Sequence, residues 1–356
     1  MNLQDLFQQS GGVLALDGIP LHFGDQKAEY LAAHHHAVLM DRSHEGRLET
    51  VGRDRLEIIQ RISTNDVGHM AADEGRPTIL ANATGRIIDR LVAYNHGEKA
   101  IVTTEPGRGQ AVRDFLQKQI FFNDDMRITD LAATTKQFAL HGPHAKAVVQ
   151  TFVPQAGNHP YLECLDGSIA DIPVIFLKRK PLIGTQWVII VPQEKASEIW
   201  QTILAAGQPF GLRPAGSLTF NVLRIEAGRP GVGRELSTDF IPLEAGLWDE
   251  VSFKKGCYTG QEIIARMESR NKLAKTIVTL KLAQMVEAPV TLRADGKDIG
   301  TLTSSVVTPQ GDAIGIGFVK VPVAEPGKEI TVGDKQISAQ ILTLAGAQPP
   351  VLEHLT

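Results

Sequence analysis

From Gly46 to Val51 the chain reads GRLETV, in which apolar and polar side chains alternate as they do along a half-buried strand. The next residues, GRDRLEIIQRIST, change period: Leu56, Ile59 and Ile62 recur at helical spacing with polar residues between them. A strand followed by an amphipathic helix is the reading. PTILANATGRIIDRLVAYNHGEKAIVTT then holds two or three β-rich runs broken by the turn-forming clusters Asn-Ala-Thr-Gly and Asn-His-Gly-Glu, so an antiparallel meander is expected.

Residues 106–120, PGRGQAVRDFLQKQI, open with Pro and Gly and place Val112, Phe115, Leu116 and Gln119 on adjacent turns, which predicts a helix. The pattern recurs: strands near 126–131 and 136–141 precede a helix at HAKAVVQTF, and strands near 168–177 and 185–191 precede one at 193–206. Strand pairs set between helices predict an α+β fold with antiparallel sheets. Beyond residue 272 the helical period disappears, and short β-rich runs separated by Asp-Gly, Gly-Asp and Pro-Gly turns predict a small barrel or sandwich. The domain reading is therefore 1–272 as two α+β lobes, 273–347 as a C-terminal β-barrel, and 348–356, with its two prolines nearby, as a surface tail.

Composition narrows the function classes. At 356 residues the chain exceeds the roughly 250 that one core supports. A formal charge of −4 gives no overall basic footprint for nucleic acid. The opening MNLQDLFQQS lacks a basic stretch followed by an apolar core, and no apolar run approaches the ~18 residues of a membrane span, so a cytoplasmic location without membrane contact is expected. Cys164 and Cys257 show no metal-ligand spacing and read as free thiols. Consecutive residues His34, His35 and His36 point about 100° apart on a helix and cannot all face one ion.

Three places could carry chemistry. SLTFNVLRIEAG puts Leu218, Val222 and Ile225 on one helical face and ends at Gly228, a C-cap residue, leaving Glu226 beside the buried stripe at the negative end of the helix dipole. There the carboxylate favours either a salt bridge to Arg224, Arg229 or Arg234 or a ligand with several donors. Asp89 in GRIIDRL lies within an otherwise apolar strand, where a carboxylate needs either an ion pair, with Arg86 or Arg90, or a cavity. In KKGCYTGQE, Cys257 precedes a helix starting at Gln261 with Ile264 and Ala265 inward. The helix dipole and Lys254 or Lys255 would favour a reactive thiolate, against the plain alternative of a packed cysteine.

KGCYTGQE closely resembles the signature of the YgfZ family of folate-binding proteins, relatives of the aminomethyltransferase (T protein) of the glycine cleavage system. VLMDRSHEGRLETVGRD, QRISTND, GRIID, RIEAGRPGVGREL and IPLEAGL resemble the same superfamily in collinear order, as does the β-rich end. The resemblance implies a cloverleaf-like fold of the aminomethyltransferase and TrmE N-terminal kind, with a C-terminal β-barrel and a central channel for tetrahydrofolate or a one-carbon derivative. It implies that Glu226 faces the two-donor edge of the pterin, that Lys255, Arg234 and Arg266 meet the anionic tail, and that Tyr258 stacks or lines the wall. Asp89 and Cys257 become the candidate catalytic groups. Where aminomethyltransferases have two adjacent acids this chain has Asp89-Arg90, and in place of a Lys-Gly-Asp-Phe-like run it has Lys255-Gly256-Cys257-Tyr258. These departures favour the YgfZ-like role: a folate-dependent protein supporting assembly or repair of iron–sulfur enzymes, including tRNA-modifying ones, with those enzymes as client partners. The alternative is a folate-dependent aminomethyltransferase.

Overall fold

The computed structural model describes residues 2–157, 162–269 and 273–345. It divides into two compact units: one holds the described residues up to Arg61 with Asp66–Thr78 and Leu91–Phe220, the other Ile62–Asn65, Ile79–Arg90 and the described residues from Asn221 onward. The expected boundary at 272 and the tail at 348–356 fall outside the described residues.

The first unit holds most of an eleven-stranded sheet, ordered Leu212–Pro214, Ala37–Asp41, Thr135–Gly142, Thr185–Pro192, Ile172–Arg179, Leu162–Ile169, Glu74–Ala81, Ile87–His96, Lys99–Pro106, Glu45–Val51 and Arg127–Asp130. Apart from the parallel pair at Leu212–Pro214, the registered neighbours run antiparallel, as the strand-pair pattern requires. Trp200, on the helix Ala196–Gly207, packs edge-on to Phe7 and Phe138, with ring centroids 4.8 and 5.0 Å away. Trp187, Ile189 and Val191 belong to the same core, so alternate residues of one strand bury the helices that follow it. The run read as a single strand near 168–177 is a hairpin of Leu162–Ile169 with Ile172–Arg179. Its two-residue turn uses Ala170 and Asp171 at φ +51° and +62°; lacking glycine or proline, it gives no sequence signal.

The helix Ser217–Glu226, whose residues from Asn221 onward belong to the second unit, ends as expected, with Gly228 at φ +63°. Its buried face is carried by Thr219, Val222, Leu223 and Ile225; Leu218, expected inward, is exposed. Six antiparallel strands, Lys275–Leu282, Ala313–Lys320, Lys297–Val307, Val290–Ala294, Glu329–Val332 and Ile337–Leu344, close into a barrel when the last pairs with the first. Leu280, Leu292, Leu302 and Ile341 fill it. A second cluster joins Ile79, Ile87 and Ile225 to Ile277, Ile316 and a stacked Phe240–Phe318 pair with centroids 3.5 Å apart. No helix among the described residues is long and apolar enough to cross a membrane.

Candidate functional site

The strand Ile87–His96 carries Asp89 and Arg90, both buried, at 4% and 8% exposure. A guanidinium there requires a counter-ion, and Glu250, 2% exposed, supplies it. Arg90 Nε donates to both carboxylate oxygens of Glu250 at 2.9 and 2.8 Å, and Nη2 donates to Oε1 at 2.7 Å. Arg86, the other cation expected near Asp89, instead donates to the carbonyl of Asp239 at 2.8 Å and to Glu244 at 3.3 Å.

The chain around Glu250 is fastened to the short segment Ser63–Asn65. Thr64 Oγ1 donates to the Glu250 carbonyl at 2.7 Å, Asn65 Nδ2 to the Asp249 carbonyl at 3.1 Å, and Ser252 N to the Thr64 carbonyl at 2.9 Å. Lys255 completes the knot: its Nζ donates to the carbonyls of Ser63 and Asn65 at 2.6 and 2.9 Å and lies 5.2 Å from the Tyr258 ring centroid. Two of its three N–H bonds are therefore committed to backbone. Tyr258 is buried, which pushes its hydroxyl up to about 12 and keeps it a hydrogen-bond donor at neutral pH.

Within KKGCYTGQE the two glycines differ. Gly260 adopts φ +82°, and a Cβ there would stand 2.5 Å from the Asn82 carbonyl and 2.8 Å from Gly85 Cα, so the turn at Asn82–Gly85 admits no side chain opposite it. Gly256 meets nothing within 4 Å. Cys257, beside it, is exposed, and three residues separate it from the helix Gln261–Ser269, whose Ile264 is buried. Cys164 is also a free thiol but is buried; burial and the neighbouring Asp73 and Asp166 push it well above the ordinary thiol range.

Glu226 is half-buried at the last turn of its helix. Arg224, one candidate partner for it, donates to Asn221 Oδ1 at 2.9 Å, Ser304 Oγ at 3.1 Å and Glu235 at 3.5 Å. Glu235 has no exposed surface and accepts from Gly231 N at 2.8 Å, Thr303 Oγ1 at 2.5 Å and Ser304 Oγ at 2.7 Å. Arg234 is exposed, makes no ion pair among the described residues, and lines a cleft of about 870 Å³ to which none of the other six candidate residues contributes. Arg266 is exposed on the helix Gln261–Ser269.

Thus Lys255 and Tyr258 are in contact, and Asp89 is next in sequence to the arginine whose counter-ion is fastened to the same backbone segment. Arg234 lines a cleft that the other candidate residues do not. The residues that pattern reading missed are Glu250, Glu235 and Thr64. An arginine within an apolar strand announces a buried acid, but nothing local points to a partner 160 positions away. Among the described residues no three His, Cys, Asp or Glu side chains come together to hold a metal ion.

Residues 18–255 match the profile of the GCVT N-terminal domain. A chloroplastic protein of Arabidopsis thaliana with the provisional name of a transferase is 31% identical over 350 residues, covering 97% of this chain and 80% of that protein. The aminomethyltransferase of Shouchella clausii is 28% identical, covering 96% of this chain and 95% of its own. The crystal structure of glycine cleavage system aminomethyltransferase T from Bartonella henselae superposes with a TM-score of 0.82 over 97% of each chain at 22% identity, which shows a shared fold.

Proposed function

Because the chain belongs to the GCVT N-terminal domain family, we propose that it is a tetrahydrofolate-dependent one-carbon transferase of the aminomethyltransferase kind. The observation that carries this reading is the Arg90–Glu250 pair. Arginine beside Asp89 argues against carboxylate chemistry only as an uncompensated cation, and the fork of hydrogen bonds from Arg90 to Glu250 cancels that charge locally. Asp89, beside Arg90 on the same strand, is a buried acid of the residue type that holds or moves a proton in transfer.

The donor set is compatible with a reduced pterin. Glu226, half-buried where the carbonyl end of a helix repels negative charge, gains from a two-donor heterocyclic edge. Tyr258 offers a buried aromatic wall braced by Lys255; Lys255 and Arg266 are the cations proposed for the anionic tail. Bound tetrahydrofolate would supply the nitrogens that accept a one-carbon unit. Titration of the protein with tetrahydrofolate tests the pterin role: Glu226→Ala is expected to lose about 1.5 kcal/mol, roughly tenfold in affinity, and unchanged affinity removes Glu226 from the site. The reaction is tested with an aminomethylated lipoyl carrier protein. Ammonia and methylenetetrahydrofolate should be released, and Asp89→Asn should lower kcat by roughly 10²–10⁴.

One observation favours the second reading, a YgfZ-like protein supporting iron–sulfur enzymes: Cys257 is exposed beside an unobstructed glycine. The names of the relatives favour transferase chemistry instead, which ranks this reading second. A strain lacking the protein, assayed for several iron–sulfur enzymes, decides. Rescue by wild type but not by Cys257→Ala promotes it, and equal rescue by both removes the thiol from function.

A further inference from the structure

The 870 Å³ cleft in the second unit lies between the stretch Gly233–Phe240 and the outer wall of the barrel, within the size range of small-molecule sites. Its charge balance is unlike that of the chain. Arg234, Lys275 and Lys320 line it, and none of the three is ion-paired among the described residues. Two acids also line it, but Asp298 is bound by Arg293 at 2.8 Å, so among the described residues Asp239 is the one lining carboxylate without an ion-pair partner. Three cations facing one such carboxylate stand out in a protein of net charge −4.

Two of the cations are also fixed in place. Lys275 Nζ stands 4.4 Å from the centroid of Phe240, which is itself stacked on Phe318, and it donates to the Asp239 carbonyl at 3.4 Å. Lys320 Nζ donates to the Asp298 carbonyl at 2.9 Å. Backbone carbonyls orient these ammonium groups without cancelling their charge, leaving N–H bonds for a ligand.

We propose that this cleft binds a multiply charged small oxyanion, a phosphate ester or a polycarboxylate, at a site separate from the one assigned to folate. The proposal does not depend on folate binding, which the Glu226 titration tests on its own. Calorimetric titration of the full-length protein with pyrophosphate and, separately, with citrate should show saturable one-to-one binding of at least one; the tighter of the two assigns the anion. The double variant Arg234→Ala/Lys320→Ala, at exposed positions, should weaken binding at least tenfold with an unchanged melting temperature. Asp239→Asn should tighten it several-fold by removing the opposing charge. The proposal is overturned by lack of saturable binding of either probe, by equal binding to the double variant, or by displacement of the probe with tetrahydrofolate.

Discussion

Two buried glutamates, one in each unit, are neutralised in opposite styles. Glu45 in the first unit is shared between two guanidiniums, accepting from Arg42 Nε at 2.8 Å and Arg179 Nη1 at 2.9 Å, and takes a further bond from Gln137 Nε2 at 2.7 Å. Glu250 in the second unit has the three-bond fork from Arg90. Burial would raise the Glu45 carboxyl, but Arg42 and Arg179 outweigh it and hold the group far below the usual carboxylate range. The first arrangement ties the strand Glu45–Val51 to the end of Ile172–Arg179, a framework function. The second joins Glu250 to a single arginine on the strand that also carries Asp89.

The largest expected effect follows from that difference in stoichiometry. Glu45→Ala removes a carboxylate shared by two buried arginines and should cost more than the ~3–5 kcal/mol typical of breaking one buried pair, measured by denaturant unfolding. Glu250→Ala removes the carboxylate of one buried pair, so it should fall within that range. The double change Arg90→Met/Glu250→Leu should recover most of the loss, since apolar replacement of a whole pair is close to neutral. If the two single variants cost the same, the contrast between an acid bound by two arginines and one bound by a single arginine fails.

Acid should separate the units next. Burial, with Arg42 adding to it, lowers His44 to about 4, so its folded form resists protonation. The stability this group contributes is complete above its ordinary pKa of 6.5 and is lost as pH falls toward about 4; the depressed Glu45 carboxyl extends the loss below about 4.5. Hydrogen exchange followed from pH 7 to 4 should therefore show the first unit loosening before the second. The smallest effect belongs to the glycines of KGCYTGQE. Gly260→Ala should destabilise by about 1–3 kcal/mol through its left-handed backbone and the Asn82 carbonyl, whereas Gly256→Ala should stay within about 0.5 kcal/mol.

What the chain discloses about itself follows the range of the forces involved. Strands such as Glu45–Val51 and helices such as Arg55–Ile62 and Gln261–Ser269 were legible because their burial pattern is written in neighbouring residues. The barrel was legible from its regular turns. The helices Leu3–Gln9 and Gln26–His35 were not assigned: in the second, the buried positions are Glu29, Tyr30, Ala32 and Ala33, a polar and small-residue face without an aliphatic stripe. At the site, Glu226 could be placed at its helix end and Asp89 in its strand by local rules. The partner of Arg90 could not, because an ion pair between residues 90 and 250 leaves no periodic trace. Arg234 shows the converse limit: its charge grouped it with Lys255 and Arg266, yet it lines a cleft to which neither contributes.

The eleven-stranded sheet begins and ends on its shortest members, Leu212–Pro214 with three residues and Arg127–Asp130 with four. A second chain seeking to extend the ladder would find room for only two or three hydrogen bonds on either flank, and Pro214 lacks the N–H for one of them. Fibrous self-assembly by strand addition is thus discouraged by the way the sheet stops, so concentrated solutions should stay clear as long as the fold is intact.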